Sequence, residues 1–210
     1  NLFTPCAENC NVLKINNPIL TDLVLLNIIL MNLPGFHVAC VSTVFFKNTP
    51  IKEALEHLFI EVDKAYYDKA NILILSDRGT DENHLALPSL LAVSAVHKHL
   101  VKTKKCTALS IILESGEPKG VHDFATLLGY GACAVNPYLA HSTIAGLIED
   151  GLLEKDYYAA VEDYDRAVRN GIVKIAAKMG ISTLQSYQGS QIFEAPGLSE
   201  ALIDGYFTGT

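Results

Sequence analysis

The sequence predicts an α/β fold: an incomplete or degenerate (β/α) barrel-like domain with parallel strands and extra C-terminal helices. Three observations lead there. Short apolar runs rich in Val, Ile and Leu alternate with stretches of helical periodicity, and that alternation implies parallel pairing with right-handed crossovers. The alternation gives four or five units. A closed eight-unit barrel needs about 250 residues, and this chain has 210.

The elements follow in order. Residues 1–18 read as irregular, with scattered Asn and Pro, and the spacing predicts a helix over 19–33. Residues 37–46, rich in Val, Phe and Thr, read as one strand. Pro50 then falls in the first turn of a helix, where its missing N–H costs nothing. Ile51, Leu55, Leu58, Phe59 and Val62 line one face of that helix, and Lys52, Glu53, Glu56 and Glu61 the other. The run Asn71-Ile-Leu-Ile-Leu75 suits a parallel strand buried on both faces. Pro88 opens a helix whose end gathers Lys98, Lys102, Lys104 and Lys105, favourable for its dipole. A strand over 108–113, a helix over 121–128, a strand over 132–135 and a helix over 138–148 complete the alternation. A long helix over 156–179 carries Ala160, Val161, Tyr164, Ala167, Val168, Ile172, Ile175 and Met179 as its apolar stripe, and Gly180 stops it. Residues 181–183 fit a last short strand, and two small helices follow, broken at Pro196-Gly197. One domain spans 1–210: a lead-in over 1–35, β/α units over 36–150 and a helical part over 151–210.

Composition narrows the function. Half of the residues are apolar and 19% are charged, so the chain buries much of itself or packs against something else, and disorder is excluded. A net charge of −7 leaves no basic footprint for nucleic acid. The most apolar stretch, 23–33, is too short for a membrane span and is interrupted by Asn27 and Asn32. The five cysteines, Cys6, Cys10, Cys40, Cys106 and Cys133, are odd in number and read as free buried thiols of a reducing compartment. Cys6 and Cys10 have the spacing of half a metal site, but no second pair follows.

Strand ends are where α/β sites form. Asp77, Arg78, Glu114, Asn136 and Ser182 fall at or just after such ends, and His122 opens a helix beside them. An acid–base cluster of Asp77, Glu114, His122 and Asn136 would define an autonomous enzyme, while mutual pairing would make the same residues structural. Gly129-Tyr-Gly131-Ala-Cys-Ala134 matches a dinucleotide fingerprint only formally. It follows a helix and opens a strand, the reverse of the required order, and reads as a turn. His97 and His99 lie about 200° apart on a helix and do not share a metal. No nucleophile elbow or phosphate loop occurs.

Blocks in the second half carry a more specific signal. They are Ile74-Leu-Ser-Asp-Arg78, Leu87-Pro-Ser-Leu-Leu-Ala-Val-Ser-Ala-Val-His97, Leu113-Glu-Ser-Gly-Glu117 with Val121-His122, Leu128-Gly-Tyr-Gly-Ala-Cys-Ala-Val-Asn-Pro-Tyr-Leu-Ala140, Lys178-Met-Gly-Ile-Ser-Thr-Leu-Gln-Ser-Tyr187 with Gly189-Ser-Gln-Ile-Phe-Glu-Ala195, and Tyr206-Phe-Thr-Gly-Thr210. In this order they resemble the central domain of glutamate synthase, clearly from 51 to 210 and more loosely before, where Pro18-Ile-Leu-Thr21 is the anchor.

The resemblance implies a rudimentary barrel inside a larger oxidoreductase of ammonia assimilation. The parent makes two glutamates from glutamine and 2-oxoglutarate. Its amidotransferase domain, with a terminal Cys nucleophile, and its FMN-binding domain, with a 3Fe–4S cluster, are the implied partners. This chain itself is expected to hold no cofactor and no catalytic residues. It starts at Asn1 rather than Met or a nucleophilic Cys, as an excised piece would, and stops at Thr210, where the family's FMN domain is expected to begin. The segment lining the family's ammonia tunnel is expected upstream, and the cluster's cysteine spacing is missing. Departures from the family pattern occur at Asp123 (His), Cys133 (Asp), Gln188 (a basic residue) and Pro196 (an aliphatic one). Ser186, Tyr187, Gln188, Gln191 and Glu194 are then candidate contacts with the FMN domain; the alternative is an ordinary amphipathic helix with Ile192 and Phe193 in the domain's own core. No membrane or nucleic-acid partner is implied, and the compartment is the cytoplasm, or the plastid stroma for a plant-type parent.

Overall fold

The structure, a computed structural model, describes residues 12–210. The Cys6 and Cys10 reading and most of the irregular lead-in lie outside the described residues.

Four parallel strands form the central sheet in sequence order: β1 (Val38–Ser42), β3 (Ile72–Ser76), β5 (Ser110–Glu114) and β6 (Ala132–Asn136). Helices α2 (Ile51–Tyr67), α3 (Ser89–Lys102) and α4 (Val121–Gly129) make the crossovers. Leu73 and Leu75 of β3 point toward these helices, together with Val41, Ile111, Leu113 and Val135, in the main core. Ile72 and Ile74 point to the opposite face, with Ile112 and Ala134. Both faces are covered, which is why the strand reads as an unbroken apolar run. Between β5 and β6 the pairing passes from Ala132 to Ala134, so Cys133 is an extra residue at a bulge.

In a closed barrel the helices lie outside. Here α2–α4 take that side, and the lead-in helix α1 (Asp22–Ile29) covers the side that a barrel would turn inward, through Leu20, Leu25 and Ile28. Thr21 caps it, its hydroxyl accepting from the Val24 amide at 3.4 Å. Helix α1 is thus shorter than the helix predicted over 19–33, because Ile19 and Leu20 instead bond beside β6: the Leu20 amide donates to Val135 and the Val135 amide to Pro18, both at 2.8 Å. That closes the outer edge of β6. Among the described residues, no strand pairs with the outer side of β1.

The predicted strand over 37–46 is two strands. After β1 the chain turns into β2 (Val44–Phe46), which pairs antiparallel with β4 (His84–Ala86), an element the sequence reading did not contain. Pro50, Pro88 and Pro137 each stand one residue before a helix, the last being α5 (Tyr138–Glu149). The long helix α6 (Tyr157–Lys178) packs on α4 and α5. It reaches α5 partly through a buried hydrogen bond between His141 Nε2 and Asp165 Oδ1 at 3.0 Å. Residues 181–183 are not a strand. The Thr183 hydroxyl instead caps the short α7 (Leu184–Tyr187), and α8 (Glu200–Tyr206) packs on α3. The three cysteines within the described residues are free, but none is buried: Cys40 is exposed, and Cys106 and Cys133 are partly exposed. Along β1, Val41 is buried on the helix side, and Val38 and Cys40 share the other face, where Val38 is half-buried and Cys40 exposed.

Candidate functional site

Register brings the polar strand ends together. Ser76 of β3 stands opposite Glu114 of β5, and Glu114 opposite Asn136 of β6. The Ser76 hydroxyl donates to Glu114 Oε2 at 2.6 Å, and Arg78 donates to Glu114 Oε1. The guanidinium also lies 3.8 Å from Asp22 and over the Tyr138 ring, 4.0 Å from its centroid. Partial burial opposes the Arg78 charge, but the hydrogen bond to Glu114 and the Glu114 and Asp22 carboxylates outweigh it and raise its pKa.

Asp77 is buried and accepts from the Ser115 hydroxyl at 2.6 Å and from the Gly116 amide at 3.0 Å. Burial, then the hydrogen bond to Asp77, pushes the Tyr138 hydroxyl up to about 12. Asn136, fully buried, donates through Nδ2 to Leu20 O at 2.9 Å and to Asp22 Oδ1 at 2.8 Å, fastening α1 to the sheet. Asp77, Glu114 and Asn136 therefore share one network, organised by Arg78 and Asp22. His122 stands apart from it, exposed, with its ring 5.8 Å from Phe193, and Ser182 lies exposed in the turn before α7. Asp123 caps α4 by accepting from the Lys119 and Gly120 amides at 2.9 Å.

Chemically, the network spends most of its groups on one another, with Asn136 Oδ1 buried and without a partner among the described residues. Each carboxylate accepts from loop or side-chain donors that hold the strand-end loops in place. Two carboxylates, Asp22 and Glu114, flank the Arg78 guanidinium, and a third, Asp77, belongs to the same network. That excess of negative charge does not suit the phosphate of FMN, so these residues do not form a flavin phosphate site. Among the described residues no group of three His, Cys, Asp or Glu side chains is placed to hold a metal ion. His97 lies 3.7 Å from Cys106 Sγ, and burial lowers its pKa, while His99 bonds Asp63 at 2.9 Å. The turn reading of Gly129–Gly131 holds: Gly131 has φ +124°, and a Cβ there would lie 2.6 Å from the His97 ring.

The 186–194 segment splits in two. Ser186, Gln191 and Glu194 are exposed. Tyr187 is a core residue, fully buried, and burial pushes its hydroxyl up to about 12. Gln188 is half-buried and donates to Ala132 O at 2.9 Å, with its amide 3.6 Å from Cys133 Sγ. Positions 133 and 188, which both depart from the resembled pattern, are thus in contact.

Sequence reasoning missed Asp22, Ser76, Ser115 and Tyr138 as members of the strand-end network. Ser76 and Ser115 carried a signal in their position beside strand ends. Asp22 carried none, because it reaches the network across 114 positions of chain.

The fold is a partial (β/α) barrel. It is similar to a flavocytochrome b2 mutant with benzoylformate (TM-score 0.53, 14% identity, 68% of this chain and 39% of that one) and to a double mutant of the same protein with sulfite bound (TM-score 0.52, 14% identity, 73% and 46%). At that identity the likeness concerns the fold alone. The sequence profile described as glutamate synthase central domain matches residues 1–199. The chain belongs to that family. It is 40% identical over its full length to the large chain of the NADPH glutamate synthase of Bacillus subtilis, 35% to the NADH glutamate synthase of Saccharomyces cerevisiae and 36% to ferredoxin-dependent glutamate synthase 2 of Synechocystis. It spans 14%, 10% and 14% of those proteins, respectively.

Proposed function

We propose that this chain is the connecting domain of a larger glutamate synthase polypeptide. The parent converts L-glutamine and 2-oxoglutarate, with two electrons and two protons, into two L-glutamates. The observation that carries the reading is the full-length match to relatives of which the chain covers only a seventh or less. The strand-end network supports it, because its charged groups are engaged in fastening loops and α1. On this reading the amidotransferase and FMN-binding domains are the partners, and FMN and the 3Fe–4S cluster reside with them, in the cytoplasm or, for a plant-type parent, the plastid stroma. Exposed Ser186, Gln191 and Glu194 face the FMN domain, and Tyr187 and Gln188 shape that segment from inside.

Glutamate formation tests the proposal. The parent polypeptide, supplied with glutamine, 2-oxoglutarate and a reductant, forms glutamate, and the 210-residue chain alone does not. Turnover by the isolated chain, or a parent inactive with every donor tried, contradicts it.

A further inference from the structure

Helix α1 is apolar on two sides. One side puts Leu25 and Ile28 into the sheet. The other carries Leu23 and Leu26, continued by the C-cap residue Leu30, at i, i+3 and i+7, 64%, 48% and 70% exposed, and Leu33 follows at 54%. A helix that is apolar all round is one that is buried all round. Exposed contiguous apolar patches mark interaction sites, and this spacing is that of anchors laid against a partner. The stripe also runs into a cleft of about 790 Å³ at the outer edge of β1, lined by Ile29, Met31, Phe36 and Val38 together with the polar Asn32 and Asp68.

Several observations select the occupant. Helix α1 has no Lys or Arg, and its one charged residue, Asp22, is held by Asn136 and faces Arg78. Helices that lie on membranes are rich in Lys and Arg, so a lipid surface does not fit. The relatives are seven to ten times longer than the chain, which covers 14% to 10% of them. A domain joined through the backbone acts at about millimolar effective concentration, and so outcompetes a second copy at cellular levels.

We propose that the Leu23–Leu26–Leu30 stripe of α1 is the docking surface for an apolar face of another domain in the same parent polypeptide. The proposal rests on the multidomain reading above. It makes α1 a two-sided layer: it plugs the inner face of the half barrel and presents its back to the neighbouring domain.

Hydroxyl-radical footprinting of the unmodified parent tests this without any substitution. Each leucine's oxidation rate is compared with its own rate in the urea-unfolded parent. Docking predicts that Leu23, Leu26 and Leu30 oxidise at least about tenfold more slowly in the folded parent, because a docked side chain is open only in the locally opened fraction, and that this protection is unchanged on dilution. Rates within about twofold of the unfolded parent, as expected of side chains left in solvent, overturn the proposal. Protection that disappears on dilution assigns the stripe to a second copy and overturns it as well. The readout does not depend on turnover, so a parent that fails the glutamate assay but protects these leucines separates the two claims.

Discussion

Asp77 accepts from the Ser115 hydroxyl and the Gly116 amide while only 5% exposed. An asparagine there keeps the shape but loses one acceptor and the charge, and hydrogen bonds to charged groups contribute about 1.5–3 kcal/mol each. Asp77→Asn should therefore lower stability by about 2 kcal/mol in urea titrations, and a change below about 0.5 kcal/mol would remove its loop-holding role. Asp63 behaves differently, because it is titratable from the surface. Burial pushes its carboxyl up, but hydrogen bonds from Lys105 and His99 outweigh this and hold it below the usual range. A lowered folded value means that Asp63 stabilises above its unfolded pKa of about 3.9, and that this is lost as pH falls through the folded value. Wild type and Asp63→Asn should differ in stability at neutral pH, and the gap should begin to close below about pH 4 and vanish only once pH has fallen below the lowered folded value; a gap that does not shrink as pH falls contradicts the pairing. The positions of Asp77, Glu114 and Asn136 were legible from the sequence because buried parallel strands announce their ends. Their partners were not, because Asp77 pairs across 38 residues and Asn136 across 114, and periodicity carries no information at such separations.

At the scale of elements, helix α6 crosses α4 at Gly171, where a Cβ would lie 2.5 Å from the Val121 side chain. Gly171→Ala should cost about 1–3 kcal/mol by forcing the helices apart. Gly146, inside α5, has nothing within 4 Å of such a Cβ, so Gly146→Ala should stabilise by about 0.5–1 kcal/mol through helix propensity alone. Thermal melts of the two variants check the contrast; shifts of the same sign contradict the α4–α6 contact. Long, strongly periodic elements such as α6 were read within a residue or two. Strand β4 was missed because His84-Leu-Ala86 is three residues long and, among the described residues, pairs with β2 alone. Residues 181–183 looked like a strand because Ile and Thr favour extended backbone, yet Thr183 is extended in order to cap α7.

At the scale of the whole molecule, the four-stranded sheet is half of a barrel, and α1 takes the place of the missing strands. The strand count and chain length made the incompleteness legible. The plugging role of α1 was not, because its apolar residues fit any buried helix and the side facing the sheet is chosen by tertiary contacts. The central claim is that the chain is a built-in piece of a much longer polypeptide. An antibody raised against the chain, used to probe a denaturing gel of whole-cell extract, tests that most directly. Relatives of which the chain covers 14% and 10% predict a polypeptide about seven to ten times the 22.8 kDa of the chain. A sole band near 22.8 kDa would contradict the account.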